Sequence, residues 1–257
     1  MPIALISALR HELHTALACI EGARCQRIAG REFWQGRWHG HEVLAMLCGV
    51  GKVAAATTAA VLADRFQARA LLLTGVAGGL AAGVRVGDAV VARAFLQHDL
   101  DASPLFPRYE VPFYGRAMFE TDPRLSAALE AALARVLGRL PQVLGAQAVA
   151  EFGLTAARAH GGLIISGDRF IATRAASDAL RQALPDALAV EMEGAAIAQV
   201  CHDWGLPLAG LRTISDRADD QAHADFDRFV CAVASPYAAA VLDELFRAAP
   251  PGSLTNS

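Results

Sequence analysis

Four acidic side chains fall where an α/β sheet meets its ligands, just past the ends of apolar strands. Glu191-Met192-Glu193 sets two carboxylates around a methionine directly after an apolar stretch ending at Val190. Arg212-Thr213-Ile214-Ser215-Asp216 ends the next apolar stretch with a cation, a hydroxyl and a third carboxylate. Glu12 follows the first apolar run through Leu9-Arg10-His11. Carboxylates placed this way can carry protons to and from a bound molecule. Each also has a plainer reading. Glu12 and Glu193 fall in the first turns of predicted helices, where the helix dipole favours negative charge. Asp216 suits a cap or turn. Glu-Met-Glu alone is a weak signal; joined to Arg-x-x-Ser-Asp on the following strand end it is a much stronger one.

Two further segments carry binding character. Thr74-Gly75-Val76-Ala77-Gly78-Gly79-Leu80 reads as a glycine turn that lets backbone approach a ligand. Its spacing is not G-x-G-x-x-G, and Arg85-Val86-Gly87-Asp88 leads into another strand, so a nicotinamide dinucleotide is excluded. A plain tight turn stays open. In Ser166-Gly167-Asp168-Arg169-Phe170-Ile171 a buried strand opens into a turn. Phe170 can stack on a flat heterocycle while main-chain groups at Ile171 read its edge, although phenylalanine is more often core.

The elements that must position these residues alternate. Strands are predicted at 3–7, 43–48, 70–74, 89–94, 163–166, 188–190 and 208–214. Helices are predicted at 11–20, 53–66, 123–137, 177–184, 193–204 and 226–246, the last kinked at Pro236. Asp122 followed by Pro123 marks one helix start, and Gly205 marks a helix end. Residues 140–160 read as a long loop or an extra helix, and the polar stretch 249–257 as a frayed tail beyond one domain at 1–248. Alternation of this kind argues an α/β fold with helices on both sides of one sheet.

Composition bounds the partners. With 54% hydrophobic and 19% charged residues in 257, the chain can bury a large core and is not disordered. A net charge of −3 offers no footprint for a nucleic-acid backbone. No uninterrupted apolar run approaches the roughly 18 residues of a membrane span. The opening run lacks a basic lead-in and reads as a strand, not a signal peptide. Five scattered cysteines without a C-x-x-C pair imply free thiols in a reducing, cytoplasmic compartment and signal no zinc site.

Together with Ala8-Leu9-x-x-Glu12, Gly49-Val50-Gly51-Lys52-Val53-Ala54-Ala55, Val86-Gly87-Asp88 and His98-Asp99-x-Asp101, these segments match one family in order and rough spacing. Over nearly its whole length the chain resembles the 5′-methylthioadenosine/S-adenosylhomocysteine nucleosidases of the purine nucleoside phosphorylase superfamily. The resemblance implies a three-layer α/β/α fold around a central mixed, twisted sheet. It implies that Glu12 activates water, that Asp216 beside Ser215 protonates N7 of the leaving adenine, and that Glu193 binds the ribose hydroxyls. Met192 would lie against the sugar, Phe170 would stack on the purine, and the Ile171 backbone would read its edge. Arg212 would help hold the water and the acidic cluster, and Leu9, Val50 and Phe226 would line the 5′-alkylthio pocket. Val76, Ala77, Gly78 and Glu191 complete the implied substrate-binding set. A homodimer partner would close the 5′ pocket from residues 106–113, with Tyr109 and Pro112 as contacts. No metal or organic cofactor is implied.

The chain departs from the family pattern at Val76, where a serine or threonine is common, and in longer stretches at 140–160 and 102–111. The chemistry explains the carboxylates. Adenine leaves poorly as an anion, so an acid must protonate it while a base takes a proton from water on the opposite face, as in inverting glycosidases. A phosphorylase would need donors or cations for a phosphate dianion. The corresponding positions here are Leu73 and Val76, both apolar, which favours water. The competing readings are a nucleoside phosphorylase, a hydrolase of AMP or aminodeoxyfutalosine, and a purine-nucleoside sensor without turnover. An apolar 5′ pocket opposes AMP, because its phosphate would be unpaired. A water-activating base opposes the sensor.

Overall fold

The computed structural model describes residues 1–218 and 226–255. Its strands are β1 (Ile3–Ser7), β2 (Glu21–Ile28), β3 (Arg31–Trp38), β4 (His41–Leu47), β5 (Ala70–Gly79), β6 (Ala89–Gln97), β7 (Met118–Glu120), β8 (Ala159–Ser166), β9 (Ala187–Glu191) and β10 (Leu208–Asp216). Its helices are α1 (Arg10–Ala18), α2 (Lys52–Asp64), α3 (Pro123–Leu137), α4 (Leu140–Leu144), α5 (Ala146–Glu151), α6 (Arg174–Ala183), α7 (Gly194–Trp204), α8 (Phe226–Phe229) and α9 (Ser235–Ala248).

The strands form one mixed sheet. β1, β4, β5 and β10 run parallel, β8 is parallel to β6 and β9, and β10 is antiparallel to β6. β5 is the junction, pairing with β1, with β10 and, at Gly78 and Gly79, with β9. The circuit β5–β10–β6–β8–β9 therefore closes on itself, while β1, β4, β3 and β2 extend from it. Closure bends the strand ends of both halves towards one place.

Helices cover both faces, as the alternation predicts. α1, α3 and α9 pack over one face through Leu13, Leu129, Leu133, Val241 and Leu245. α2 and α7 pack over the other through Ala55, Ala59, Leu62, Ile197 and Cys201. Short residues on α2 and α7 let those helices lie close to each other and to the sheet.

Several bounds differ from the sequence reading. The glycine segment 75–79 is not a turn; β5 runs straight through it to Gly79. β2 and β3 were not predicted. Their hairpins turn at Ala29-Gly30 (φ 48° and 77°) and His39-Gly40 (φ 48° and 80°). These turns lack the Asn-Gly or Asp-Gly pair that usually marks such hairpins, and β2 is an exposed edge strand without alternation. The three-residue β7 was also missed. Residues 140–160 hold α4, α5 and a short 3-10 turn, docked through Leu140, Val149 and Leu154.

The last helical run is interrupted before Pro236. Val230–Ala234 is π-helical and α9 restarts at Ser235, as expected where proline cannot donate a helix hydrogen bond. The whole run Phe226–Ala248 is long and apolar enough to cross a membrane, but 67% of its most apolar window is buried inside the fold, so it serves as a core helix. Beyond it, His41 Nε2 lies 3.0 Å from the Ala249 carbonyl, and Leu254 rests on the core.

α3 begins as the sequence indicates: the Asp122 carboxylate accepts from the Leu125 amide at 2.7 Å, with Pro123 at the first helical position. Asp122→Ala is expected to lower stability by about 0.5–2 kcal/mol, the usual cost of losing such a cap. A reduced denaturant midpoint at unchanged slope, with unchanged catalytic activity, is the measurement that checks it.

Candidate active site

The carboxyl ends of β1, β4, β5, β8, β9 and β10 surround a mostly apolar cleft of about 220 Å³. Fourteen of the residues singled out from the sequence line it: Leu9 and Glu12 after β1, Val50 after β4, Val76, Ala77 and Gly78 on β5, Phe170 and Ile171 after β8, Glu191, Met192 and Glu193 at the end of β9, Ser215 and Asp216 on β10, and Phe226 on α8. Ala8, Arg169 and Val190 complete the lining and were not anticipated.

Glu12 is buried in the first turn of α1. Its Oε2 accepts from the amides of Ala8 (3.0 Å) and Leu9 (2.8 Å), folding the carboxylate back over its own helix start. Its Oε1 accepts from the Val76 amide at 3.0 Å. The plainer reading of Glu12 as a helix-terminus acid is thus correct as well, and the same carboxylate still faces the cleft. Burial raises its pKa, and this outweighs the opposing pull of Arg212 and of the amides of Leu9, Val76 and Ala8.

Arg212 does not line the cleft. It is 1% exposed on β10, beneath the floor. Its Nη2 donates to Glu191 Oε2 and, at 3.3 Å, to Glu193 Oε2, and its Nη1 donates to the Thr74 carbonyl at 3.2 Å. Its expected part in holding the acidic cluster therefore takes the form of support from below. The continuation of β5 through Gly75 explains how Arg212 fits. A Cβ at Gly75 would overlap Arg212 Nη1 and stand 2.6 Å from Glu12 Oε1.

Glu191, expected to bind substrate, borders the cleft. Its side chain is 2% exposed. Its oxygens are occupied by Arg212, the Ser166 hydroxyl and the amides of Glu193 (3.1 Å) and Gly194 (2.9 Å). It anchors the start of α7, and the Ala195 amide adds a bond to Ser166 Oγ at 2.8 Å. Glu193 lines the cleft as well. Its Oε1 accepts from the Gly51 amide at 3.0 Å. Burial and the neighbouring Glu191 charge raise its pKa against the pull of Arg212. Gly51 has φ +94°, and a Cβ there would stand 3.0 Å from Asp168 Oδ1, so the loop that supplies this amide needs glycine.

Asp216 sits at the end of β10. Its Oδ2 accepts from the Ser215 hydroxyl at 2.7 Å and its Oδ1 from the Ala218 amide at 2.7 Å. Phe170 lines the cleft at 43% exposure and is not a core residue. Tyr109 and Pro112 do not line the cleft of their own chain. Tyr109 packs inward on the cluster that contains Ile171 and Val190. The outward apolar side chains of that segment are Leu105 and Phe113, at 84% and 92% exposure. Among the described residues no group of three His, Cys, Asp or Glu side chains is disposed to hold a metal ion.

Comparison with known proteins places the fold and the family. The description "phosphorylase superfamily" matches residues 2–247. The 5′-methylthioadenosine/S-adenosylhomocysteine nucleosidase of Neisseria meningitidis, solved with methylthio-immucillin-A, is 31% identical with a TM-score of 0.82, covering 96% of this chain and 99% of that one. The Streptococcus pneumoniae MTA/SAH nucleosidase, solved with 8-aminoadenine, is 32% identical with a TM-score of 0.83, covering 97% and 100%. A futalosine hydrolase of Helicobacter pylori is 28% identical with a TM-score of 0.80, covering 95% and 97%.

Removing the guanidinium would leave buried carboxylates without compensation. Arg212→Met is expected to cost about 3–5 kcal/mol near pH 8. The loss should shrink at pH 5.5. With Arg212 gone the native carboxylates hold protons more tightly than the unfolded chain does, so stability falls as pH rises through their raised native pKa values. Denaturant unfolding at the two pH values checks both the size and the sign.

Proposed function

The chain belongs to the phosphorylase superfamily, and from that premise we propose that it hydrolyses the N-glycosidic bond of 5′-methylthioadenosine and S-adenosylhomocysteine, as in methionine salvage. The observation that carries this reading is that Glu12, Glu193 and Asp216 open on one apolar cleft while the buried cation beside them, Arg212, is committed to Glu191, Glu193 and a backbone carbonyl. A phosphate nucleophile would find Leu73 and Val76 at the positions where a cation and a hydroxyl are wanted. Leu73 is fully buried and Val76 offers only an apolar side chain, its amide already donated to Glu12.

In the reaction, the purine lies against Phe170 with its edge towards the Ile171 backbone, and the ribose hydroxyls bond Glu193 beside Met192. The bond from the sugar C1′ to adenine N9 breaks as Asp216 gives its proton to N7, and the sugar gains oxocarbenium character. Water attacks C1′ from the Glu12 side, and Glu12 takes its proton. Adenine and 5-alkylthioribose leave. A raised pKa makes Glu12 a stronger base than an ordinary glutamate, closer to the pH at which it works. Ser215 and the Ala218 amide orient Asp216. Leu9, Val50 and Phe226 give the 5′ substituent an apolar berth.

A second reading, hydrolysis of a larger 5′-substituted nucleoside, is favoured by the similarity to the Helicobacter pylori futalosine hydrolase. Ranking kcat/KM across methylthioadenosine, adenosylhomocysteine and aminodeoxyfutalosine separates the two. The five unpaired cysteines support a reducing, cytoplasmic setting.

We also propose that the enzyme works as a homodimer. Val50, Val53, Leu105 and Phe113, at 52%, 78%, 84% and 92% exposure, support it, because so many bare apolar side chains are costly in water. Phe113→Asp is expected to give a monomer by sedimentation and to raise KM for methylthioadenosine, since the partner would no longer close the 5′ end.

Adenine release from methylthioadenosine is expected to proceed equally with and without phosphate. Glu12→Gln and Asp216→Asn should each lower kcat by about 10²–10⁴ while the fold persists. Glu12 must be ionised to act, so kcat/KM should fall on the acid side with an apparent pKa above the ordinary glutamate range. Phosphate-dependent release, or a variant turning over at the wild-type rate, would contradict the assignment.

A further inference from the structure

Two loops meet at the border of the cleft. The loop between β4 and α2 carries Val50 and Gly51, and the Gly51 amide holds Glu193. The loop after β8 carries Asp168, Arg169, Phe170 and Ile171. A set of charged side chains outside the cleft joins them. The Lys52 amide donates to Asp168 Oδ1 at 2.7 Å. Lys52 Nζ donates to Asp99 Oδ1 at 2.6 Å and to Gln97 Oε1 at 3.1 Å, and lies 3.9 Å from Asp168 Oδ2. Asp99 Oδ2 in turn accepts from the Asp168 amide at 2.9 Å. Residues 52 and 168 are therefore bonded directly through a carboxylate and again through Asp99.

The surroundings reinforce this bracket. The buried His98 ring lies against Gly167, where any Cβ would overlap the imidazole. Gln97 Nε2 donates to Gln199 Oε1 on α7 at 2.9 Å, and α7 starts directly after Glu193. The Lys52 side chain is 16% exposed and that of Asp99 31%, so the pair is partly shielded from solvent. A partly solvated ion pair contributes little to global stability. Its consequence lies in where it holds two loops that are remote in sequence. Neither Lys52 nor Asp99 lines the cleft.

We propose that Lys52 and Asp99 are positioning residues that lock the sugar-side loop to the purine-side loop, so that one bracket sets both the Gly51 hold on Glu193 and the placement of Phe170. The identity of the two ligand parts, sugar and purine, rests on the nucleosidase reading; the coupling between the loops does not. Release of either partner lets the Gly51 amide leave Glu193 and lets the Phe170 wall retreat. Misplacement by about 1 Å can cost on the order of 10² in catalytic efficiency. Because Glu193 and Phe170 are assigned to substrate, the loss should appear in KM more than in kcat.

The test compares Asp99→Ala, Lys52→Met, their double variant and Lys52→Arg with the wild type. Amide hydrogen exchange at Gly51 is the decisive readout, because Asp99 makes no bond to Gly51. Exchange there should be about 10-fold faster or more in both single variants. KM for methylthioadenosine should rise about 10- to 100-fold, with kcat reduced much less. The double variant should be no worse than the more damaged single one, since the two residues act as a unit, and Lys52→Arg should restore part of the loss. Wild-type exchange at Gly51 in both single variants overturns the proposal, as does a double variant whose losses multiply. If the wild type releases no adenine, the nucleosidase reading fails, and the bracket is judged by Gly51 exchange alone.

Discussion

The site is organised around one guanidinium buried among carboxylates. Arg212 reaches Glu191 and Glu193 by hydrogen bonds and acts on Glu12 through space. A charge taken so completely out of water is tolerated only with close opposite partners. Three carboxylates face that single cation, so the pocket is electron-rich when all are ionised. The excess shows in the titration of the acids. Burial and mutual repulsion raise Glu193, burial raises Glu12, and Arg212 lowers both without cancelling the effect. Arg212 itself is held more firmly protonated, because the carboxylates outweigh its loss of hydration.

That arrangement dictates features of the backbone around it. Arg212 lies on β10 next to β5, and β5 can accept it only where a side chain is missing, at Gly75. The strand can then continue to Gly79 and meet β9, which closes the sheet and carries Glu191 and Glu193 to the same end as Glu12. Gly75 and Gly78 are better understood as room for the charges beside the strand than as a turn that cradles a ligand. Glu191 and Glu193 divide their contacts along the same lines: the first is held by Arg212, Ser166 and the α7 amides, the second by Arg212 and the Gly51 amide.

Much of this was legible in the sequence because the decisive residues lie within a few positions of strand ends. Glu12, Glu193, Ser215 and Asp216 are all set by local chain order. The apolar central strands and the Asp122-Pro123 helix start were legible for the same reason. What escaped depended on contacts between distant segments or on unusual turns. Ala-Gly and His-Gly hairpins are built from positive φ at residues that do not announce it, so β2 and β3 were missed. Glu191 could not be told from Glu193 without knowing which one met the Ser166 hydroxyl and the α7 amides and which one met Gly51. Lys52, Asp99 and Asp168 stood in recognisable motifs, but their bonds to one another required three chain segments to be brought together. Tyr109, expected at a partner's pocket, packs on the Ile171 and Val190 cluster of its own chain, a contact between distant segments, while Leu105 and Phe113 point out.

The electron-rich character of the pocket bears on which nucleophile it can use. A phosphate dianion entering beside Glu12 and Glu193 would meet like charge at short range in a weakly screened interior, where such repulsion is strong. The nearby cation cannot offset this without abandoning Glu191 and Glu193, which would leave them buried and unpaired. Water carries no charge into the site, and in the proposed reaction it would give up a proton that a basic Glu12 is suited to take. In the proposed reaction the developing sugar cation would be attracted to the same surplus of negative charge that would repel phosphate, and the stabilisation would then fall in the transition state rather than in the resting complex. Glu12 and Glu193 burden the folded chain at neutral pH, since their raised pKa values mark a native state that would prefer them protonated. That burden and the preference for a neutral nucleophile have a single origin, the three-to-one ratio of carboxylates to guanidinium around Arg212.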